Sequence, residues 1–254
     1  MSAGGVRPGG REISRMLSAE GLKLGSLPAI RLTLCATLIV NLILAAAFIS
    51  AGLQGSTGTR SALDIGIASV GYSQAGFMLL GILAACSEYS GGQIRTTLAV
   101  MPRRGLQLIT AQLALALLAL PGAAILSASG LLAAVIFLGD ASGPIEWHQA
   151  VAVLMGATGC LTLTALMSSA VGVLLRRTLP ATAALLGYYF IAGPLLRDKT
   201  ALAKYLPDTA GLAMWFPQPG GGNGLGPAQG AALMLAWTLG SVLAAVWVYR
   251  KRDM

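Results

Sequence analysis

Residues 105–139 read GLQLITAQLALALLALPGAAILSASGLLAAVIFLG and contain no Asp, Glu, Lys or Arg. A helix needs about 20 consecutive apolar residues to cross a hydrocarbon core about 30 Å thick. This stretch is longer than that, and it carries no charge that would have to be buried in lipid. It therefore predicts a transmembrane helix, which we place at residues 107–137.

The composition of the whole chain favours the same class of protein. Of the 254 residues, 56% are hydrophobic and only 10% are charged, and the mean hydropathy is +0.75. A soluble globule could not cover so much apolar surface with so few charges, which excludes a water-soluble enzyme, and a disordered chain would be far more polar. The low aromatic content of 6% argues against a membrane β-barrel with its aromatic girdles. We expect an all-α integral membrane protein.

Five more charge-free stretches are long enough to span a membrane. The last of them, residues 209–249, is too long for one helix, and its Pro- and Gly-rich part, WFPQPGGGNG at residues 215–224, predicts a loop. The six expected spans lie at about residues 30–52, 64–86, 107–137, 148–175, 179–197 and 228–249.

The basic residues fall mostly on one side of these spans. An even number of spans puts both termini on the same side, which holds 13 of the 17 Lys and Arg residues and a net charge of +9, against −1 on the other side. Basic loops face the cytoplasm, so both termini are predicted to be cytoplasmic. Arg197 and Asp208 belong to the outer face by this count. Anionic lipid headgroups explain the basic inner face, so we expect a membrane-lipid partner and no nucleic acid.

The region before the first span divides into two parts. Residues 1–10 are rich in Gly and are expected to be disordered. Residues 11–27 have apolar side chains that can share one helical face, which predicts an amphipathic helix lying on the inner membrane surface. The alternative is a plain basic flank to the first span. Residues 28–254 then form the six-helix transmembrane domain.

The spans contain neutral polar residues and, by this assignment, no ionisable residue at mid-span. Asn41, Gln74 and Tyr188 are among these polar residues. Such groups can line a translocation path or form hydrogen bonds between helices, and we consider both roles for them. The chain has no P-loop motif, so it does not bind ATP in that way. We expect no catalytic residue, metal site or cofactor on this chain.

One polar segment, SEYSGGQIRTTLAVMPRR at residues 87–104, joins the second span to the third. Its paired glycines end the preceding helix, residues 93–100 can form about two helical turns, and Pro102 stops them. A short cytoplasmic helix of this kind could dock a soluble partner through Ile94 and Leu98. The alternative is an ordinary basic loop at the membrane surface.

This segment resembles the E-[YF]-x-x-G-[TQ]-[IL]-R-x-[TS]-L run of permease subunits in the type-two, or exporter, class of bacterial ABC transporters. The matching residues are Glu88, Tyr89, Gly92, Gln93, Ile94, Arg95, Thr96, Thr97 and Leu98, followed by Arg103 and Arg104. The stretch from Glu20 through Lys23 to Ser26 resembles the sequence before the first span of these permeases, with Gly21 where Trp is usual.

The resemblance implies a fold and a set of partners. The fold would be that of a type-two ABC exporter permease, and two permease chains, as a homodimer, would sit above two copies of a separate ATPase subunit that binds ATP and Mg. Residues 92–100 would form the helix that couples to the ATPase, with a second contact at Arg176 and Arg177. Residues 11–27 would be the connecting helix, and residues 197–226 would hold short external re-entrant helices.

The resemblance also implies a function. The chain would form the path for efflux of a hydrophobic drug, antimicrobial peptide or lipid-like substrate across the bacterial cell membrane, as in antibiotic resistance. The main alternative is a polytopic membrane protein of another class, either an accessory or structural subunit or an ion-coupled carrier. An importer is a further alternative, because the direction of transport comes from the resemblance alone.

Overall fold

A computed structural model describes residues 10–54, 62–90, 104–138, 146–197, 199–216 and 225–251. These ranges are helical and contain no strand. The helices are α1 (Gly10–Ser26), α2 (Pro28–Gln54), α3 (Ala62–Ser90), α4 (Arg104–Leu138), α5 (Trp147–Leu175), α6 (Thr178–Gly187), α7 (Gly193–Arg197), α8 (Pro207–Ala213) and α9 (Pro227–Lys251). A π-helical turn, Tyr188–Ala192, joins α6 to α7, and a 3-10 helix, Ala201–Tyr205, precedes α8.

Six of these segments are long and apolar enough to cross a membrane. They are helices α2, α3, α4, α5 and α9 together with the continuous helical stretch Thr178–Arg197. The prediction of an all-α chain with six membrane-length helices is therefore confirmed. Helix α4 runs through Pro121 without a break. The predicted disordered tail lies almost entirely outside the described residues, which begin with Gly10 at the start of α1.

Large apolar side chains cover the outside of the bundle. Ile43 on α2, Ile136 on α4 and Leu243 on α9 are all more than 60% exposed. A soluble protein rarely leaves a continuous apolar surface of this extent in water, whereas lipid tails solvate it. The six apolar helices and their exposed apolar faces together define a multi-pass membrane protein.

Helix α3 lies at the centre of the bundle and packs against α2, α4 and α5. Its buried side chains include Phe77 and Leu80. At Gly81 the backbone of α3 lies against the carbonyl of Ala165 on α5, and a β-carbon on Gly81 would overlap that oxygen. Lipid gives no hydrophobic drive for helices to associate, so close backbone approach through small residues supplies much of the packing energy.

The bundle has a proximal end and a distal end, defined by the helix termini that meet there. The proximal end carries α1, the C-terminal ends of α3, α5 and α9, and the N-terminal ends of α2, α4 and α6. Buried contacts among Ala85, Val173 and Ala245 tie α3, α5 and α9 together there. The distal end is the opposite one, and it includes α7, α8 and the N-terminal ends of α3, α5 and α9.

Candidate functional site

Helix α1 packs against the proximal end of the bundle. Its apolar residues Met16 and Leu24 are buried, and its main neighbour is α4. Glu20 and Leu24 share a small cavity with residues of α3, α4 and α5, among them Ala84, Leu108 and Val173. The cavity has a volume of about 30 Å³, which is room for one water molecule. Helix α1 therefore contacts the same helix ends that flank the predicted coupling segment.

The structure places the flanks of that segment together. Glu88 and Tyr89 lie in the last turn of α3, and Arg104 is the first residue of α4. The side chains of these three residues lie outside the described part of the chain, as do residues 92–98 and Arg103 altogether. The helix predicted over residues 93–100 therefore stays a prediction, while both ends of its connection are at the proximal end.

The second predicted contact, at Arg176 and Arg177, is also at the proximal end. Arg176 ends α5 in the left-handed conformation, with φ of 54°, and its backbone N–H donates to the Gly172 carbonyl over 2.8 Å. Arg177 has an extended backbone, immediately precedes α6 and is exposed. A left-handed residue after a helix is a common way to reverse the chain, and here it presents adjacent basic side chains at one helix turn.

Asn41, the first predicted path residue, is fully buried between α2, α3 and α4. Its Nδ2 donates to the Leu126 carbonyl over 3.2 Å and to Ser129 Oγ over 3.3 Å. Its Oδ1 accepts a hydrogen bond of 2.9 Å from Ser73 Oγ. These bonds satisfy the amide within the helix packing, so the geometry of Asn41 is that of an interhelical hydrogen-bonding residue.

The other two predicted path residues lie on the distal side of the bundle, around one cavity. This distal cavity has a volume of about 390 Å³ and opens between α2, α3, the π-helical turn and α8. Gln74 lines it, and Tyr188 is hydrogen-bonded to Asp208, which also lines it. The lining residues are Phe48, Ala68, Gly71, Tyr72, Gln74, Tyr189, Phe190, Pro194, Arg197, Asp208, Leu212, Trp215 and Phe216.

An ion pair between the half-buried Arg197 and the buried Asp208 forms part of the wall of the distal cavity. The Asp208 side chain is 1% exposed, and its Oδ2 accepts hydrogen bonds from Arg197 Nε over 3.0 Å and from Arg197 Nη2 over 2.8 Å. Its Oδ1 accepts a third hydrogen bond, of 3.1 Å, from the Tyr188 hydroxyl. A carboxylate is costly to bury unless it is paired and hydrogen-bonded, and this arrangement meets both conditions.

The backbone around Tyr188 makes room for this carboxylate. The π-helical turn begins at Tyr188, and the N–H of Gly193 donates to the Tyr188 carbonyl. A β-carbon on Gly193 would stand 2.5 Å from Asp208 Oδ2, so a residue without a side chain is required for the carboxylate to sit there. Single π-helical turns inside α-helical segments are frequent at functional sites.

The segment that carries Asp208 folds back into the bundle. Gly211 lies against Cys160 Sγ of α5 and near Gln74 Nε2 of α3. Cys160 and Gln74 are each within two positions of the middle of their own helix. The indole N–H of Trp237 on α9 donates to the Tyr205 carbonyl over 2.9 Å. The short helices expected within residues 197–226 are thus present at Ala201–Tyr205 and Pro207–Ala213.

Sequence reasoning missed the role of Arg197 and Asp208, which it assigned to the outer face as topological charges. The structure instead buries the Asp208 carboxylate within the bundle. Two signals in the sequence could have indicated this: opposite charges that flank a short segment, and Pro207 immediately before the acid, since Pro favours the first turn of a helix. Within the described residues, no three His, Cys, Asp or Glu side chains cluster as metal ligands would.

The fold and the distal cavity define a class: a multi-pass helical membrane protein with an aromatic-lined cavity that opens between its helices. Comparisons of the chain with protein-family models, with curated proteins and with solved structures find no match.

Proposed function

We propose that this chain is the transmembrane subunit of an ATP-driven exporter of the type-two ABC class. It acts in the bacterial cell membrane with both termini in the cytoplasm, as a homodimer with two copies of a separate ATPase subunit. ATP and Mg bind to the ATPase. The observation that carries the proposal is the run from Glu88 to Arg104, whose residue order resembles the coupling segment of that family.

Three features of the structure support this proposal. The connection that contains the run leaves α3 and enters α4 at the proximal end, the basic turn at Arg176 and Arg177 is at the same end, and α1 packs there as well. A soluble partner bound at this end would reach all three elements at once. The basic side chains there also suit a cytoplasmic location.

The packing suggests how a movement at the coupling segment would reach the distal cavity. Helix α3 is continuous from Ser90 at the proximal end past Gln74 to Gly71 at the cavity. Closely packed helices move as rigid bodies and have discrete arrangements, so a displacement of one end of α3 displaces the other. ATP binding and hydrolysis on the partner would then shift the population between two orientations of the cavity.

The proposal is tested with charge and polarity changes in the coupling segment. Arg95→Glu and Leu98→Asp should lower the substrate-stimulated ATPase activity of the complex, while the chain still inserts into the membrane. Arg60→Glu, on the predicted outer face, is the matched charge-reversal control and should leave coupling intact. Normal coupling in both test variants would contradict the assignment of this segment.

A second candidate function is favoured by the buried carboxylate of Asp208. Ionisable residues buried in membrane helices commonly mark ion or proton pathways, so an ion-coupled carrier that needs no ATPase is the alternative. Proteoliposomes that contain this chain alone distinguish the two functions. Uptake driven by a proton or sodium gradient, and abolished by Asp208→Asn, would support the carrier over the ABC exporter.

A further inference from the structure

The distal cavity has the size and wall chemistry of a small-molecule site. Its volume of about 390 Å³ is within the roughly 300–1,000 Å³ range of ligand pockets, which are mostly apolar and aromatic with a few polar groups. Side chains at its rim are open to the surroundings, with Tyr72 54% exposed and Phe190 41% exposed. A molecule can therefore enter the cavity from outside the bundle.

We propose that the distal cavity binds an uncharged, flat aromatic molecule that carries a carbonyl or hydroxyl group at its edge. The identification of this molecule as the transported substrate rests on the proposed function, whereas its binding in the cavity is independent of that function. Three features of the cavity favour this chemical class: its aromatic walls, its balance of charge and its hydrogen-bonding groups.

The walls of the cavity favour a flat aromatic ligand. Aromatic rings lie on several of the elements that surround it, including Phe48 on α2, Tyr72 on α3 and Trp215 after α8. The rings of Phe48 and Tyr72 are 5.9 Å apart, and those of Trp215 and Phe216 are also 5.9 Å apart at an interplanar angle of 75°. Rings at these separations offer faces and edges for stacking and T-shaped contacts with a further ring.

The charges of the cavity favour an uncharged ligand. The charged residues that line it are Arg197 and Asp208, and they are paired with each other. Their charges cancel, so an ionised ligand would enter an apolar cavity without a counter-charge to offset the loss of its hydration. An anion would compete with Asp208 for Arg197, and a cation would compete with Arg197 for Asp208.

Two lining residues, Gln74 and Arg197, have hydrogen-bonding groups that the described part of the chain leaves unused. Gln74 uses its Nε2 to donate to Thr164 Oγ1 over 2.9 Å, and its Oε1 has no hydrogen-bond partner among the described residues. Arg197 binds Asp208 through Nε and Nη2, which leaves Nη1 without such a partner in the same part of the chain. A ligand with one donor and one acceptor could use both groups.

The volume also selects among the expected substrate classes. A cavity of about 390 Å³ can enclose a compact ring system, but an antimicrobial peptide or a lipid with long acyl chains would extend well beyond it. Among hydrophobic drugs, peptides and lipid-like molecules, the drug-sized aromatic compound is the one that this site would enclose.

The test uses three probes that share one flat tricyclic frame. Acridone is uncharged and has a carbonyl and an N–H, 9-aminoacridine is a cation near neutral pH, and acridine-9-carboxylate is an anion. The full chain is reconstituted in lipid nanodiscs with Trp215 as its only tryptophan, the other three being replaced by Phe. Saturable quenching of Trp215 emission reports binding. A second chain retains only Trp247, which is 60% exposed near the proximal end of α9. Quenching of its emission measures the contribution of probe dissolved in lipid.

We expect acridone to quench Trp215 saturably and to bind at least about tenfold more tightly than either charged probe. Tyr72→Leu and Gln74→Leu should each weaken acridone binding about tenfold or more, since one removes a ring and the other a hydrogen-bonding amide. Phe137→Leu, which changes a 69% exposed ring on α4 outside the cavity, is the matched control and should bind as the parent does.

Two results would overturn the inference. The first is quenching of Trp215 that does not saturate, or that matches the Trp247 control, in protein that elutes as a single folded species. The second is equal affinity for acridone and its charged relatives. The binding assay needs neither ATP nor an ATPase subunit, so its outcome is independent of whether the coupling test of the proposed function succeeds.

Discussion

Replacing Asp208 with Asn should release the folded-back segment at residues 199–216 from the bundle. The carboxylate holds this segment to Arg197 through Nε and Nη2 and to the Tyr188 hydroxyl. Asparagine has nearly the same shape, but it loses the negative charge and one of the two acceptor oxygens. The change therefore removes the ion pair without opening a large cavity.

The expected size of the effect follows from these contacts. Hydrogen bonds to charged groups contribute about 1.5–3 kcal/mol each, and they are not additive. Removing one partner of a buried ion pair costs about 3–5 kcal/mol when the remaining charge is fully buried. The Arg197 side chain is 32% exposed, so solvent compensates part of the loss. We expect the segment to open more easily by about 2–3 kcal/mol.

Hydrogen–deuterium exchange of the protein in nanodiscs measures this opening directly. At about 1.4 kcal/mol per factor of ten, protection of the backbone amides in residues 207–216 should fall about 30-fold to 140-fold. Amides in the proximal part of α5, around Ala170 and Val173, should be unaffected, because these residues pack against α3 and α9. Asp64→Asn, which alters an exposed acid at the distal end, serves as the control and should leave exchange unchanged.

A double variant separates the ion pair from a general loss of packing. Adding Arg197→Gln to Asp208→Asn removes the unpaired charge, so part of the lost protection should return. Unchanged exchange in residues 207–216 of the Asp208→Asn protein would refute the reasoning. It would show that the ion pair contributes nothing to holding the segment in place.

Two further substitutions test close backbone contacts. Gly193→Ala should lower the exchange protection of the segment as loss of the ion pair does, because its β-carbon would stand 2.5 Å from Asp208 Oδ2. The control Gly187→Ala adds a β-carbon that meets no atom within 4 Å, so it should leave exchange unchanged. Equal exchange in the two variants would contradict the geometry. Gly81→Ala should lower the unfolding temperature of the purified protein markedly, because α3 and α5 would have to separate. The control Gly240→Ala adds a β-carbon in open space and should leave the unfolding temperature unchanged. A Gly81→Ala protein as stable as the parent would refute the close contact between α3 and α5.

The six spans could be predicted from the sequence because they depend on local properties. Charge-free length and apolar composition decide whether a segment can cross lipid, and neither depends on which helices are neighbours. The short helices between the fifth and sixth spans were expected only through the family resemblance. The position of α8 against Cys160 and Gln74 follows from tertiary packing, which no local pattern specifies.

The polar residues of the spans show why the candidate site was harder to predict. Asn41 and Gln74 are both neutral amides within predicted spans, and the sequence gives them the same two possible roles. Packing separates them: Asn41 is fully enclosed by hydrogen-bonding partners, whereas Gln74 faces the distal cavity. Asp208 was assigned to the outer face because the count of spans and charges places the connection between the fifth and sixth spans there. Only the folded-back path of the chain reveals its pairing with Arg197.

The most direct test of the proposed coupling is site-specific photocrosslinking in the native membrane. A photoreactive benzoylphenylalanine is placed at Ile94, in the coupling segment, or at Leu202, which is 74% exposed and lies before α8 on the distal side. We predict that Ile94, and not Leu202, crosslinks to a soluble protein whose sequence contains a P-loop, the phosphate-binding motif of ATPases. Intact membranes in which Ile94 captures no such ATPase, or in which Leu202 captures it equally, would contradict the assignment of this chain as an ABC exporter subunit.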